Sequence, residues 1–102
     1  MKKYEINRTT EFDIWLKAIR DPLTRGRLLT RLRRAALGNF GDVAPITDAN
    51  GIWEMREHFG SGWRMYYLQR GKVVIVMLGG GNKTTQKADI KKIKKLLLTM
   101  ED

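Results

Sequence analysis

The chain has 102 residues and no cysteine, and its 20 lysines and arginines outnumber its 11 acidic residues. This length fits one domain spanning residues 1–102, the 42% of apolar residues exclude a disordered chain, and with one histidine we expect no metal site and no small-molecule cofactor. The formal charge of +9 favours a polyanion or an acidic protein as partner, although a basic surface that serves solubility is the alternative interpretation.

The first helix is predicted after a short edge strand. Residues 4–6 alternate in polarity, which is typical of an edge strand. Thr10 followed by Asp13 resembles a helix N-cap with a carboxylate in the first turn. Four apolar residues then follow at helical spacing: Phe12, Trp15, Leu16 and Ile19. We therefore assign this helix to the core and give its residues no chemistry.

A second helix is predicted to begin at Asp21, with Pro22 in its first position, and to end at Gly38. The break before it is short, so the two helices form an antiparallel hairpin. One side of the second helix carries arginines, among them Arg27, Arg31 and Arg34. We expect Arg31 and Arg34 to contact RNA phosphates or an acidic partner, and the alternative is an ordinary solvated face.

An antiparallel meander of three strands is predicted between residues 51 and 79. Two glycine-centred breaks, Gly60-Ser61-Gly62 and Arg70-Gly71-Lys72, divide this stretch into runs of strand length. The last run, residues 73–78, is apolar on both faces, so we expect it inside the sheet. Upstream, Pro45 confines the short extended piece at residues 43–46 to an edge or a loop.

One face of this meander is predicted to gather cationic and aromatic side chains. Because side chains alternate along a strand, the first run presents four residues on one face: Ile52, Glu54, Arg56 and His58. In the second run Arg64 shares a face with Tyr66, which could stack on a base, whereas Tyr67 points towards the core. Cations and rings that converge on a rigid sheet suit the binding and cleavage of a phosphodiester.

The segment after the meander is predicted to be a glycine-rich loop followed by an amphipathic helix. Gly79-Gly80-Gly81 lacks the G-x-x-x-x-G-K-[ST] pattern and does not follow a parallel strand, so we reject nucleotide binding. Lys83 would lie at the lip of the sheet. Residues 85–100 then form a helix with one apolar stripe, Ile93, Leu96, Leu97 and Met100, which covers the sheet or gives way to a partner's helix.

Five segments match a known family in register: residues 11–16 (EFDIWL), 31–34 (RLRR), 37–43 (LGNFGDV), 54–67 (EMREHFGSGWRMYY) and 78–90 (LGGGNKTTQKADI). On these segments the chain resembles the RelE/ParE superfamily of type II toxin-antitoxin toxins, specifically the HigB-like addiction module killer proteins. The resemblance implies an α+β fold in which an N-terminal helical hairpin packs on a curved antiparallel β-sheet, with a C-terminal helix.

The same resemblance implies a function. RelE-type and HigB-type members cut mRNA in the ribosomal A site by metal-independent attack of the ribose 2'-oxygen on the adjacent phosphorus, whereas ParE-type members poison DNA gyrase. We therefore expect a cytoplasmic, ribosome-dependent mRNA endonuclease with a co-encoded helix-turn-helix antitoxin as its partner. No membrane partner is expected, since no apolar run approaches about 18 residues. A gyrase poison and a non-catalytic antitoxin-binding module are the alternatives.

Three cations can be matched to the family's motif one by one. The resemblance places Arg64 where a sheet arginine stabilises the crowded phosphate, Arg56 at a second basic position one strand away, and Lys83 at the basic residue of the loop. A single guanidinium can supply two aligned donors to such a phosphate, so Arg64 is the expected centre of the pocket. The alternative for both arginines is a structural salt bridge, for Arg56 with Glu54 or Glu57.

The chain also departs from the best-known RelE proteins. Those proteins carry two lysines on the strand where this chain has Ile52 and Glu54. They also carry a tyrosine about where Gln86 or Lys87 stands, and we therefore expect Gln86 and Lys87 to contact RNA. His58 is therefore the first candidate for proton transfer, since histidine titrates near neutral pH. The alternative is a histidine at a loop edge with no chemistry.

Overall fold

The computed structural model describes residues 3–49 and 51–100. Within them the chain forms five strands and three helices, in the order β1 (Glu5–Arg8), α1 (Thr10–Ala18), α2 (Pro22–Ala36), β2 (Val43–Pro45), β3 (Trp53–Arg56), β4 (Trp63–Arg70), β5 (Val74–Asn82) and α3 (Gln86–Thr99). No helix in this described part is long and apolar enough to cross a membrane.

The strands form one sheet in the order β1-β5-β4-β3-β2. The predicted meander is confirmed, because β3, β4 and β5 pair antiparallel, and the apolar strand β5 lies inside the sheet. The two predicted edge segments also occupy the edges, as β1 and β2. One expectation needs correction: β1 pairs parallel with β5, so the sheet is mixed rather than wholly antiparallel. A parallel pair needs a long connection, which the intervening helices and strands supply.

The helices cover both faces of the sheet. α1 and α2 pack on one face around a core that includes Phe12, Leu16, Leu28, Leu32, Met55, Met65 and Met77. α3 packs on the other face through Ile93, against a second cluster that includes Ile52, Tyr66, Val76 and Leu78. The apolar stripes predicted for the helices are thus the faces that they bury.

The helix ends follow the sequence signals with one shift. Asp21 caps α2 by accepting a hydrogen bond from the Leu23 amide, with Pro22 in the first turn, and Gly38 takes the left-handed conformation with φ +95°. The cap of α1 is Thr9, not Thr10: its hydroxyl accepts from the Phe12 amide at 3.1 Å.

The prediction of a glycine-rich loop after the meander is wrong, because strand β5 continues through the glycines to Asn82. Two of these glycines lie where side chains from the helices pack directly against the strand backbone and leave no room for a Cβ. A Cβ added at Gly80 would lie 2.5 Å from the Trp15 ring, and one added at Gly81 would lie 1.8 Å from an Asp89 carboxylate oxygen. These glycines therefore admit α1 on one face and the start of α3 on the other.

Candidate functional site

The strand register brings the predicted cations to one end of the sheet. Arg56 on β3 lies opposite Arg64 on β4, which in turn lies opposite Gly81 on β5. Lys83 follows β5 directly and is exposed. A Cβ added at Gly62 would lie 3.4 Å from the Lys83 Cβ and 3.7 Å from the Arg64 Nη1, so these two cationic residues flank Gly62. We call this row of strand ends the sheet end.

Arg64 does not form the open centre of a cationic pocket, as the sequence led us to expect. Its side chain is only 10% exposed, and its Nε lies 3.1 Å from the Oε1 of Glu54. Its Nη1 donates a hydrogen bond to the carbonyl of Trp63 at 3.2 Å. The register explains this position, because Glu54 lies opposite Tyr66, two residues from Arg64 on the same face. The alternative of a structural salt bridge thus describes the geometry of Arg64.

Glu54 is the buried centre of a cluster, which we call the Glu54 cluster and which comprises Glu54, Arg56, Arg64, Tyr66 and Gln86. Glu54 is 6% exposed, and its Oε2 lies 3.4 Å from the Nη2 of Arg56. The Gln86 amide donates to its Oε1 at 2.9 Å. Gln86 therefore holds α3 to the sheet, whereas Lys87, the next residue, is exposed and stays a predicted RNA contact.

Tyr66 is the member of this cluster with no exposed surface, so the expectation that it could stack on a base is wrong. Its hydroxyl is buried and makes no hydrogen bond of good geometry in the described part of the chain, although the Gln86 side chain lies close to it. Burial raises the pKa of this hydroxyl well above its ordinary value of 10, since ionisation there would leave a buried charge. The alternation of faces placed Tyr66 correctly beside Arg64, but it could not show that α3 covers that face.

An exposed groove lies beside the cluster. We call it the Asp42 groove; it has a volume of about 440 Å³ and is lined by Arg31, Arg34, Asn39, Gly41, Asp42, Arg56, Glu57, His58 and Phe59. His58 Nε2 lies 2.6 Å from the Oδ2 of Asp42, and the Nη1 of Arg56 lies 3.9 Å from its Oδ1. The His58 side chain is 70% exposed. Arg56 thus connects the two regions, since it contacts both Glu54 and Asp42.

The contact with Asp42 determines which nitrogen of His58 can act as a base. The pKa of Asp42 is lowered mainly by the hydrogen bond from His58 and further by the attraction of Arg56. Partial desolvation of the carboxylate opposes these two effects. An ionised carboxylate can only accept a hydrogen bond, so Nε2 carries the hydrogen. In the neutral imidazole, Nδ1 then keeps its lone pair and can take a proton from a bound molecule.

Arg31 is a structural residue, and its predicted exposure on an arginine face is wrong. It is 8% exposed and donates three hydrogen bonds to carbonyls: from Nε to Phe40 at 3.0 Å, from Nη1 to Arg56 at 2.6 Å and from Nη2 to Asp42 at 2.8 Å. Its Nη1 also pairs with the carboxylate of Glu57. Arg31 therefore fixes the floor of the Asp42 groove, because it links α2 to the backbone at Phe40 and Asp42 and to the end of β3 at Arg56.

Arg34 is exposed and lines the groove, as its predicted role requires. The residue that reasoning from the sequence missed is Asp42. It lies in a segment, Asn39-Phe40-Gly41-Asp42, that carries only a turn signal, and nothing in the pattern shows that His58 lies 16 residues away against its carboxylate.

The chain is similar to proteins of one family and to two solved structures. The model of the family described as phage derived protein Gp49-like matches residues 15–100. An uncharacterized protein of Haemophilus influenzae is 37% identical over 92 residues, which cover 90% of this chain and 91% of that protein.

The solved structures are similar in fold. A mutant of E. coli toxin RelE in the free state superimposes with a TM-score of 0.69 at 13% identity, covering 89% of this chain and 93% of that one. The toxin-antitoxin complex RelBE2 from Mycobacterium tuberculosis gives a TM-score of 0.67 at 15% identity, covering 80% of this chain and all of that one. The RelE-like fold that the resemblance implied is confirmed. The chain belongs to the phage-derived Gp49-like family and has the RelE fold.

Proposed function

We propose that this chain is the toxin of a type II toxin-antitoxin module, of the HigB-like branch, and that it cuts mRNA on the ribosome in the cytoplasm. The observation that carries the proposal is the His58–Asp42 pair at 2.6 Å in an exposed groove that Arg34 and Arg56 also line. The RelE fold and the charge of +9 support a polyanionic target.

The proposed chemistry needs one base and a set of cations. Nδ1 of His58 takes the proton from a ribose 2'-hydroxyl, and the 2'-oxygen attacks the adjacent phosphorus. The bond from phosphorus to the 5'-oxygen breaks, and the imidazolium returns its proton to that oxygen. The products are a 2',3'-cyclic phosphate and a 5'-hydroxyl. Arg56 donates to the crowded phosphate, while Arg34, Lys83 and Lys87 contact the RNA backbone.

The partner that we propose is a co-encoded antitoxin with a helix-turn-helix pattern. The RelBE2 structure contains such a toxin with its antitoxin, which supports a protein partner for this chain. A small open reading frame with that pattern beside the gene for this chain would support the assignment, and copurification of the two products would test it.

A gyrase poison or a non-catalytic antitoxin-binding module is the second candidate. The position of Arg64 favours it, because a side chain that is buried against Glu54 supplies less charge to a bound phosphate than an open one. In that case the Asp42 groove would bind a partner without cutting it.

The experiment that tests the proposal is mapping of RNA 5' ends after induction in cells. The variant is His58→Ala, and Lys94→Ala, an exposed lysine on α3, is the matched control. We expect cleavage to fall about 10²-fold to 10⁴-fold in His58→Ala with antitoxin binding retained, and to be unchanged in Lys94→Ala. Growth arrest with intact mRNA would overturn the proposal, and DNA double-strand breaks in the same cells would favour gyrase.

A further inference from the structure

The Glu54 cluster places two like charges opposite each other in the sheet. Arg56 and Arg64 are cross-strand partners, an arrangement that is unfavourable for two cations without compensation. The carboxylate of Glu54 lies between them, with Oε2 at 3.4 Å from Arg56 and Oε1 at 3.1 Å from Arg64. Glu54 therefore offsets the repulsion between the two guanidinium groups.

The same carboxylate is bound by the first residue of α3. Gln86 donates to Oε1, which is also the oxygen that Arg64 approaches. Arg64 and α3 thus share one atom as a partner.

The start of α3 is fixed to the same row of the sheet. The hydroxyl of Thr85 donates to Asp89 at 2.6 Å, and both side chains pack against Gly81, the residue opposite Arg64. A displacement of the first turn of α3 would move Gln86 and therefore release one side of the Glu54 carboxylate. The position of the helix and the position of the arginine are linked by this geometry.

We propose that Glu54 is a positioning residue that aligns Arg56 and Arg64 for the RNA phosphate, and that Gln86 couples this alignment to the docking of α3. The consequence for catalysis rests on the proposed function, whereas the coupling between α3 and Arg64 does not. The partly exposed Arg56 would then be the phosphate ligand, with Arg64 supplying positive potential from behind it.

The coupling is tested by ¹⁵N NMR of the arginine Nε–H groups, with the Arg64 signal identified by its loss in Arg64→Lys. In Gln86→Leu we expect the Arg64 signal to shift, because the Glu54 carboxylate, whose Oε1 lies 3.1 Å from the Arg64 Nε, loses the donor that holds it from α3. Lys87→Ala, which changes the next and exposed residue, should leave the signal unchanged. Glu54→Gln should shift the signals of both Arg64 and Arg56.

An unchanged Arg64 signal in Gln86→Leu, with α3 still folded, would overturn the inference. If Gln86→Leu unfolds α3, Gln86→Asn gives the same test with a shorter amide. In RNA cleavage we expect Glu54→Gln and Gln86→Leu to lower kcat more than they raise KM, because they misalign groups at the phosphate. Coupling in the NMR experiment without RNA cleavage by the wild type would reject the proposed function alone. Cleavage without coupling would reject this inference alone.

Discussion

The Glu54 cluster and the Asp42 groove lie side by side at the sheet end, and in each of them a carboxylate contacts basic side chains. In the cluster the carboxylate is 6% exposed and is approached by Arg56 from its own strand, by Arg64 from the next strand and by Gln86 from α3. In the groove Asp42 contacts His58 and Arg56 in an open space, and one imidazole nitrogen stays available. The comparison teaches that similar groups hold a fold together when they are buried and can react when they are exposed.

Substitution of Arg31 should have the largest effect, because this residue supports the groove from below. In Arg31→Ala three carbonyls and the Glu57 carboxylate lose their donor, and we expect the free energy of unfolding to fall by about 3–5 kcal/mol. Urea denaturation measures this loss. Arg34→Ala, which removes an exposed arginine of the same helix, should change it by no more than about 0.5 kcal/mol. Equal losses in both variants would show that Arg31 is not buried as described.

The close packing beside the cluster gives a second test, with glycines as probes. Gly80→Ala should destabilise the protein by about 1–3 kcal/mol, since its Cβ would lie 2.5 Å from the Trp15 ring. Gly26→Ala in α2 meets no atom within 4 Å and should instead stabilise the protein by about 0.5–1 kcal/mol. Thermal unfolding of both variants measures the difference. A Gly80→Ala protein as stable as wild type would contradict the packing of α1 on β5.

These two glycines also differ in what the sequence can predict about their surroundings. The helices, the meander and both edge strands could be predicted because each depends on a local pattern of apolar residues, caps and breaks. The continuation of β5 through Gly79-Gly80-Gly81 could not, since it depends on Trp15 and Asp89 from two other elements.

The candidate site was predictable in its residue types and in its place on the sheet, but not in its exposures. Arg31 and Arg34 look equivalent on a helix, and only the fold brings Glu57 to one of them. Likewise, the alternation of side chains placed Arg64 and Arg56 on one face. How closely each arginine approaches the Glu54 carboxylate depends on the strand register and on α3, which the pattern does not show.

The smallest expected effect concerns the dependence of stability on pH. The pKa of Asp42 is lowered from 3.8, mainly by the hydrogen bond from His58, so the folded state binds its proton less readily than the unfolded state. The stabilisation is therefore present above pH 3.8 and is lost as the pH falls through the lower pKa of the folded state. Urea denaturation across this range should show a weaker loss of stability in acid for Asp42→Asn and for His58→Ala than for the wild type. An unchanged acid dependence in both variants would contradict the His58–Asp42 contact.

The most direct test of the central claim is the incubation of purified protein with ribosomes that are translating a defined mRNA, followed by analysis of the cleaved ends. We predict cuts that leave a 2',3'-cyclic phosphate and a 5'-hydroxyl, and a rate about 10²-fold to 10⁴-fold lower for His58→Ala than for the wild type and Lys94→Ala. An mRNA that stays intact with the wild-type protein, or is cut equally fast by His58→Ala, would contradict the proposal that His58 in the Asp42 groove cleaves RNA.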